Sequence, residues 1–217
     1  MHIQKQIILL SLVAGAFLTA ATGNSAPRSS TKKDPQTTST LTNLPPGDFA
    51  RDVGKGLEVA TLAGGCFWGL EEIIRKLPGV KDTQVGYTGG RTSNPSYREV
   101  SSGQTGHAES VQIIFDPKVI SFEHLLGFYF RMHDPTTLNQ QGNDKGTQYR
   151  SAIFYYGLKQ SKTAETIRKK VDALGKWKKP IVTEITAAQA FWKAESEHQD
   201  YLQKNPNGYT CHFLRDE

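Results

Sequence analysis

Hydrophobic positions along the chain alternate between two periods, and the change from one to the other at Cys66 organises the rest. Leu57 to Ala63 is an apolar run with β character, closed by Gly64-Gly65. Phe67, Leu70, Ile74 and Leu77 then recur at helical spacing until Pro78-Gly79 stops the pattern. Val80 to Tyr87 is expected as a strand ended by Thr88-Gly89-Gly90, and Arg91 to Gly106 as a loop. Ala108 to Phe115 alternates again, with Glu109, Val111, Ile113 and Phe115 on one face. Phe122, Leu125, Leu126, Tyr129 and Phe130 predict an amphipathic helix, and His133 to Gly146 a polar loop. Tyr149 to Tyr156 is read as a buried strand. A second amphipathic helix carries Ala164, Ile167, Val171 and Leu174, with Gly175 at its end. Ile181 to Ile185 is expected as a strand, and Phe191, Ala194, His198, Tyr201 and Leu202 as one face of a last helix. The tail from Tyr209 to Arg215 is unpatterned. Helices and strands mix without regular βαβ spacing, which points to an α+β fold with a mixed sheet.

The ends of the chain follow other rules. Residues 1–26 have the layout of a secretory signal: Lys5, an apolar stretch from Ile7 to Ala21, then small residues. That stretch is shorter than the ~20 residues a membrane span needs, so an uncleaved anchor is the minor alternative. Residues 27–52, rich in Ser, Thr, Pro and Gly, are expected as a flexible linker. The folded domain is assigned to 53–217, and the product to an exported, periplasmic or secreted location.

Composition narrows the function classes. The chain has 217 residues, 37% hydrophobic and 22% charged, with a formal net charge of +5. Its basic clusters, Arg168-Lys169-Lys170 and Lys176 to Lys179, fall on or just after an amphipathic helix without interleaved aromatics. A solvated face accounts for them, and no nucleic-acid partner is expected. Only Cys66 and Cys211 are available as thiols. Neither has a neighbour at metal-ligand spacing, so no metal site is expected, while one redox pair is allowed.

Cys66 falls at the first turn of a helix, where free N–H groups and the helix dipole favour a thiolate. Its alternative is an inert, buried small hydrophobe. Glu109 ends an apolar stripe. Desolvation there would keep it protonated near neutral pH, whereas a strand-end glutamate reaching water would not be perturbed. A thiol hydrolase using Cys66 with His107 or His198 is one rival reading, and a binding module stapled by a disulfide is another.

Several segments carry a resemblance. Gly65-Cys66-Phe67-Trp68-Gly69-Leu70-Glu71, Gly86-Tyr87-Thr88-Gly89-Gly90, Asn94-Pro95-Ser96-Tyr97 and Thr105-Gly106-His107-Ala108-Glu109 are similar to motifs of A-type peptide methionine sulfoxide reductases. So are Asp144-Lys145-Gly146-Thr147-Gln148-Tyr149-Arg150-Ser151, Ala194-Glu195 with His198-Gln199, and Asn205-Pro206-Asn207-Gly208-Tyr209. The similarity runs in order from about Leu57 to His212.

The resemblance implies thiol-dependent reduction of the S epimer of free or protein-bound methionine sulfoxide, within a repair role. Cys66 matches the nucleophile and Glu109 the acid. Tyr97 and Tyr149 match the tyrosines that bond the sulfoxide oxygen, and Asp144 a polar residue of the same site. Phe67 and Trp68 match the walls around the substrate methyl. Cys211 lies where family members carry a resolving cysteine; a permanent staple, nominally worth ~4–5 kcal/mol in loop entropy, is its alternative. A single tail cysteine leaves no two-step relay within the chain. No cofactor is implied, reducing equivalents coming from thioredoxin or a thioredoxin-like protein, and a monomer is expected. The full fold expectation is a two-layer sandwich: a mixed sheet with a ferredoxin-like core, helices packed on it, and a mobile C-terminal tail.

Overall fold

The computed structural model describes residues 53–216, so the expected signal at 1–26 and the linker at 27–52 lie outside the described residues. Strand β1 (Glu58–Gly64) runs down the middle of a six-stranded sheet. It leads through Gly65 into α1 (Phe67–Ile74), which returns the chain to β2 (Val80–Thr88). A short helix α2 (Tyr97–Ser101), β3 (Ala108–Phe115) and α3 (Phe122–Met132) follow. A small hairpin, β4 (Gln140–Gln141) with β5 (Asp144–Lys145), precedes a 3₁₀ turn at Thr147–Tyr149 and β6 (Ser151–Tyr155). Helix α4 (Leu158–Ala173), β7 (Glu184–Ala187), β8 (Trp192–Lys193) and α5 (Tyr201–Lys204) complete the chain.

The sheet order is β7-β6-β1-β3-β2-β8. β3 sits between β1 and β2 and is antiparallel to both, Leu62 facing Val111 and Tyr87 facing Glu109. This split βαβ arrangement, extended by antiparallel β6, is the ferredoxin-like core expected. Parallel pairing of β6 with β7 makes the sheet mixed. One face of the sheet packs its apolar side chains against α1, α3 and α4: Leu62, Tyr87, Val111 and Phe115 meet Phe67, Leu70, Leu126 and Ile167 in one cluster. The whole of β3 is buried on both faces. On the far face Gln112 Nε2 donates to the Tyr156 hydroxyl at 2.9 Å, which also bonds Thr61 Oγ1 at 2.8 Å.

Four expectations need correction. The loop 91–106 contains α2, started by a capping box in which the Glu99 amide bonds Ser96 Oγ and the Ser96 amide bonds Glu99 Oε2. The polar loop 133–146 contains the β4–β5 hairpin. Leu174, expected on the buried face, is exposed just past the end of α4. The helix expected from Phe191 to Leu202 is replaced by β8, a series of turns and one helical turn. Side chains in this segment satisfy the neighbouring sheet instead of continuing a helix. Gln199 Oε1 accepts from the Val85 amide at 3.0 Å, and Gln199 Nε2 donates to the Val85 carbonyl at 2.9 Å. Asp200, at φ +55°, breaks any continuous right-handed turn into α5.

Candidate active site

Cys66 sits at the bend between β1 and α1 as the residue capping the helix, and it is buried. The bend needs glycine before it: Gly65 has φ +106°, and a Cβ there would press within 2.6 Å of the Gln141 side chain. The backbone N–H of Trp68 faces the sulfur and stabilises a thiolate, as the helix start predicts. Burial outweighs it. Desolvation, reinforced by the negative charge of Glu109, pushes the Cys66 thiol far above the ordinary cysteine value. The expected resting thiolate is thus a resting thiol, because the sulfur has lost more solvation than one N–H returns.

Glu109 projects from the start of β3 toward α1, where the Phe67 amide donates to its Oε2 at 3.1 Å. The carboxyl is 1% exposed, and burial pushes it up to about 8, aided by the charge on Asp144. It is mostly protonated at neutral pH, and in that form it no longer adds repulsion to ionisation of Cys66.

One cavity of about 160 Å³ is lined by Cys66, Phe67, Trp68, Tyr97, Glu109, Asp144, Tyr149 and Tyr209. All the residues expected to surround the substrate therefore meet. Burial, followed by the charge of Glu109, raises both Tyr97 and Tyr149, which stay protonated as donors. The Trp68 indole stacks on Tyr201 at 3.8 Å between centroids, and its Nε1–H donates to His198 Nδ1 at 3.2 Å. Among the described residues no group of His, Cys, Asp and Glu is arranged to hold a metal ion. A larger groove of about 870 Å³ beside α3 and α4 contains none of these side chains.

Cys211 lies outside the cavity lining but against the nucleophile: the Cys66 N–H points at its sulfur. Both cysteines are free thiols. In this conformation the tail packs on the bend, with His212 Nε2 2.7 Å from the Gly64 carbonyl oxygen and the Arg215 amide donating to the Arg131 carbonyl.

Three supporting residues have roles that local sequence pattern does not announce. The Tyr209 hydroxyl donates to Asp144 Oδ1 at 3.1 Å and closes the cavity. Glu195 accepts from the Tyr97 amide at 2.7 Å and from the Tyr87 hydroxyl at 2.8 Å, fixing the start of α2. His212 binds the glycine bend. Tyr209 and Glu195 stood in recognisable motifs, but no periodicity links residues so far apart to the cavity.

Neither histidine considered as a base for hydrolysis serves Cys66. His107 is spent on the Gly90 amide and the Thr92 carbonyl, and His198 on Trp68. A protonated acid faces the sulfur instead, with a second thiol at its back, and that arrangement defines a thiol-dependent oxidoreductase. Comparison with known proteins agrees. The family model for peptide methionine sulfoxide reductase matches residues 58–216. Peptide methionine sulfoxide reductase MsrA 1 of Mesorhizobium japonicum is 55% identical over 158 residues, covering 73% of this chain and 90% of the relative. The structure of Mxr1 from Saccharomyces cerevisiae in reduced form superposes with a TM-score of 0.72 at 42% identity, covering 76% of this chain and 96% of that one. Mxr1 in complex with Trx2 matches with a TM-score of 0.52 at 29% identity, covering 76% and 94%. The chain belongs to the peptide methionine sulfoxide reductase family.

Proposed function

We propose that this enzyme reduces the S epimer of methionine sulfoxide, free or within peptides and oxidised proteins, through a Cys66 sulfenic acid and a Cys66–Cys211 disulfide. The observation that carries the reading is the pairing of Cys66 with Glu109, a carboxyl that burial holds up to about 8, in one aromatic-walled cavity.

In the first step the Cys66 sulfur attacks the sulfoxide sulfur while Glu109 gives its proton to the sulfoxide oxygen. Oxide is an impossible leaving group, so an acid protonated at working pH is required. Tyr97 and Tyr149 add hydrogen-bond donors where negative charge gathers, and Asp144 completes the polar end of the cavity. Phe67 and Trp68 receive the methyl group, which is apolar and polarisable. The attack forms an S–S bond as the sulfoxide S–O bond breaks and the protonated oxygen leaves as hydroxide. Hydroxide then adds to the Cys66 sulfur, the S–S bond breaks with its electron pair on the methionine sulfur, and Cys66 is left as a sulfenic acid. The thiol proton of Cys66 restores Glu109.

In the second step the Cys211 sulfur attacks Cys66; a disulfide forms and water leaves. A thioredoxin-like dithiol then reduces the disulfide by exchange. The yeast relative solved with Trx2 supports this choice of reductant. We further propose that the enzyme works after export, on the strength of the signal-like pattern of residues 1–26, with no cofactor beyond its reductant.

The test is an epimer-resolved assay on wild type, Cys66→Ser and Cys211→Ser. Cys66→Ser should form no methionine. Cys211→Ser should form about one methionine per enzyme and then stall with a thioredoxin-like donor. Equal reduction of both epimers, or sustained thioredoxin-driven turnover by Cys211→Ser, would refute the corresponding step.

A further inference from the structure

The recycling step needs a place for a proton. Cys211 enters it as a thiol, because burial and the neighbouring Asp144 carboxylate push it up to about 12. An attacking sulfur must shed that proton, and the hydroxyl leaving Cys66 must gain one.

Beside this sulfur stands the imidazole of the next residue, with Cys211 Sγ 3.4 Å from His212 Nδ1. The other ring nitrogen settles which tautomer is present. His212 Nε2 lies 2.7 Å from the Gly64 carbonyl oxygen, and a carbonyl only accepts, so Nε2 carries the hydrogen. The ring is buried, and desolvation, aided by Arg215 and only partly offset by the Gly64 carbonyl and Asp144, brings it down to about 4, so it stays neutral. Nδ1 is therefore a bare lone pair directed at the thiol. The chain makes unusual room for this ring. A Cβ at Gly69 would lie 2.8 Å from Nδ1, and one at Gly65 3.2 Å from Cε1.

We infer that His212 Nδ1 is the proton acceptor for Cys211 when it attacks the Cys66 sulfenic acid. The inference rests on the disulfide route proposed above. The Cys211 S–H bond and the Cys66 S–O bond break, and the S–S bond forms. The proton passes through Nδ1 to the departing hydroxyl, which leaves as water. The pair donated by Cys211 becomes the shared S–S bond, so the Cys211 sulfur is oxidised by one electron and the Cys66 sulfur reduced by one. Because the imidazole is a weak base here, it relays the proton during the attack and does not store it.

Single-turnover kinetics separate this step from sulfoxide reduction, with methionine released reporting the first step and loss of trappable sulfenic acid the second. His212→Gln keeps an N–H donor for the Gly64 carbonyl and removes the lone pair beside Sγ. The ratio of the disulfide rate to the methionine rate should fall about a hundredfold, within the usual range for a lost general base. In His212→Ala, added imidazoles should restore the disulfide step in order of their basicity, which a tail anchor alone would not produce. A disulfide rate in His212→Gln within twofold of wild type would overturn the assignment. Failure of every imidazole to rescue His212→Ala would do the same. A protein that releases no methionine in the first turnover would instead refute the underlying route.

Discussion

Glu109→Gln links stability and chemistry through one proton. The variant removes the ionisable group while keeping an oxygen that can accept the Phe67 amide. In wild type, folding raises this carboxyl from 4.5 to about 8, so the buried site disfavours its charged form. At low pH both folded and unfolded chains are protonated there, and stability is full. As pH rises past 4.5 the unfolded chain ionises first, and wild type loses stability until the folded group also ionises near 8. Glutamine carries no such loss. Between pH 5 and pH 9 the variant should therefore gain on wild type by on the order of 4 kcal/mol, at ~1.36 kcal/mol per pH unit. Any pH-independent cost of the amide cancels in this difference. Urea unfolding of both proteins at pH 5 and pH 9 measures it. The same titration should appear in single-turnover methionine formation, where wild type declines above about pH 8 and the variant is slow throughout. Parallel stability profiles for the two proteins would refute the argument that burial holds this acid protonated.

Three further outcomes are expected. Gly69→Ala should slow disulfide formation at least tenfold, because the new methyl would overlap Thr210 Oγ1 and crowd His212, displacing the tail. Alanine favours a helix interior by about 1 kcal/mol over glycine, so the effect should appear in single-turnover kinetics without loss of fold by circular dichroism. Tyr129→Phe should cost about 1–2 kcal/mol in urea unfolding, since its buried hydroxyl donates to the Ala63 carbonyl at 2.7 Å. Trp68→Ala should lower kcat/KM for a methionine sulfoxide peptide roughly tenfold or more in steady-state assays, because the methyl group loses a wall of its pocket.

The cavity was legible in the sequence where a residue's role follows from its neighbours. Cys66 stands at a change of hydrophobic period, and Glu109 interrupts an apolar face; both signals are local, and the motif resemblance placed Tyr97, Asp144 and Tyr149 beside them. The state of the Cys66 thiol was not legible, since a helix start is visible in sequence while the depth of burial is not. Residues 191–202 misled because their apolar spacing fits a helix. Their pattern records instead Trp192 at a sheet edge and His198 and Tyr201 around the indole of Trp68. The capping box at Ser96 and Glu99 was present in sequence and marks α2 without any tertiary information.

Gln199 has a consequence for how substrates are read. Its amide occupies both the N–H and the carbonyl of Val85, and the Ala194 amide shares that carbonyl. At Val85, β2 therefore has no free backbone group with which to bind an incoming peptide as an added strand, the usual means by which a sheet edge selects extended partners. At this point along β2 a substrate would be held by the side chain it sends into the cavity and not by strand pairing. On the reaction proposed above, selectivity at this position would follow the oxidised sulfur and not the backbone that carries it.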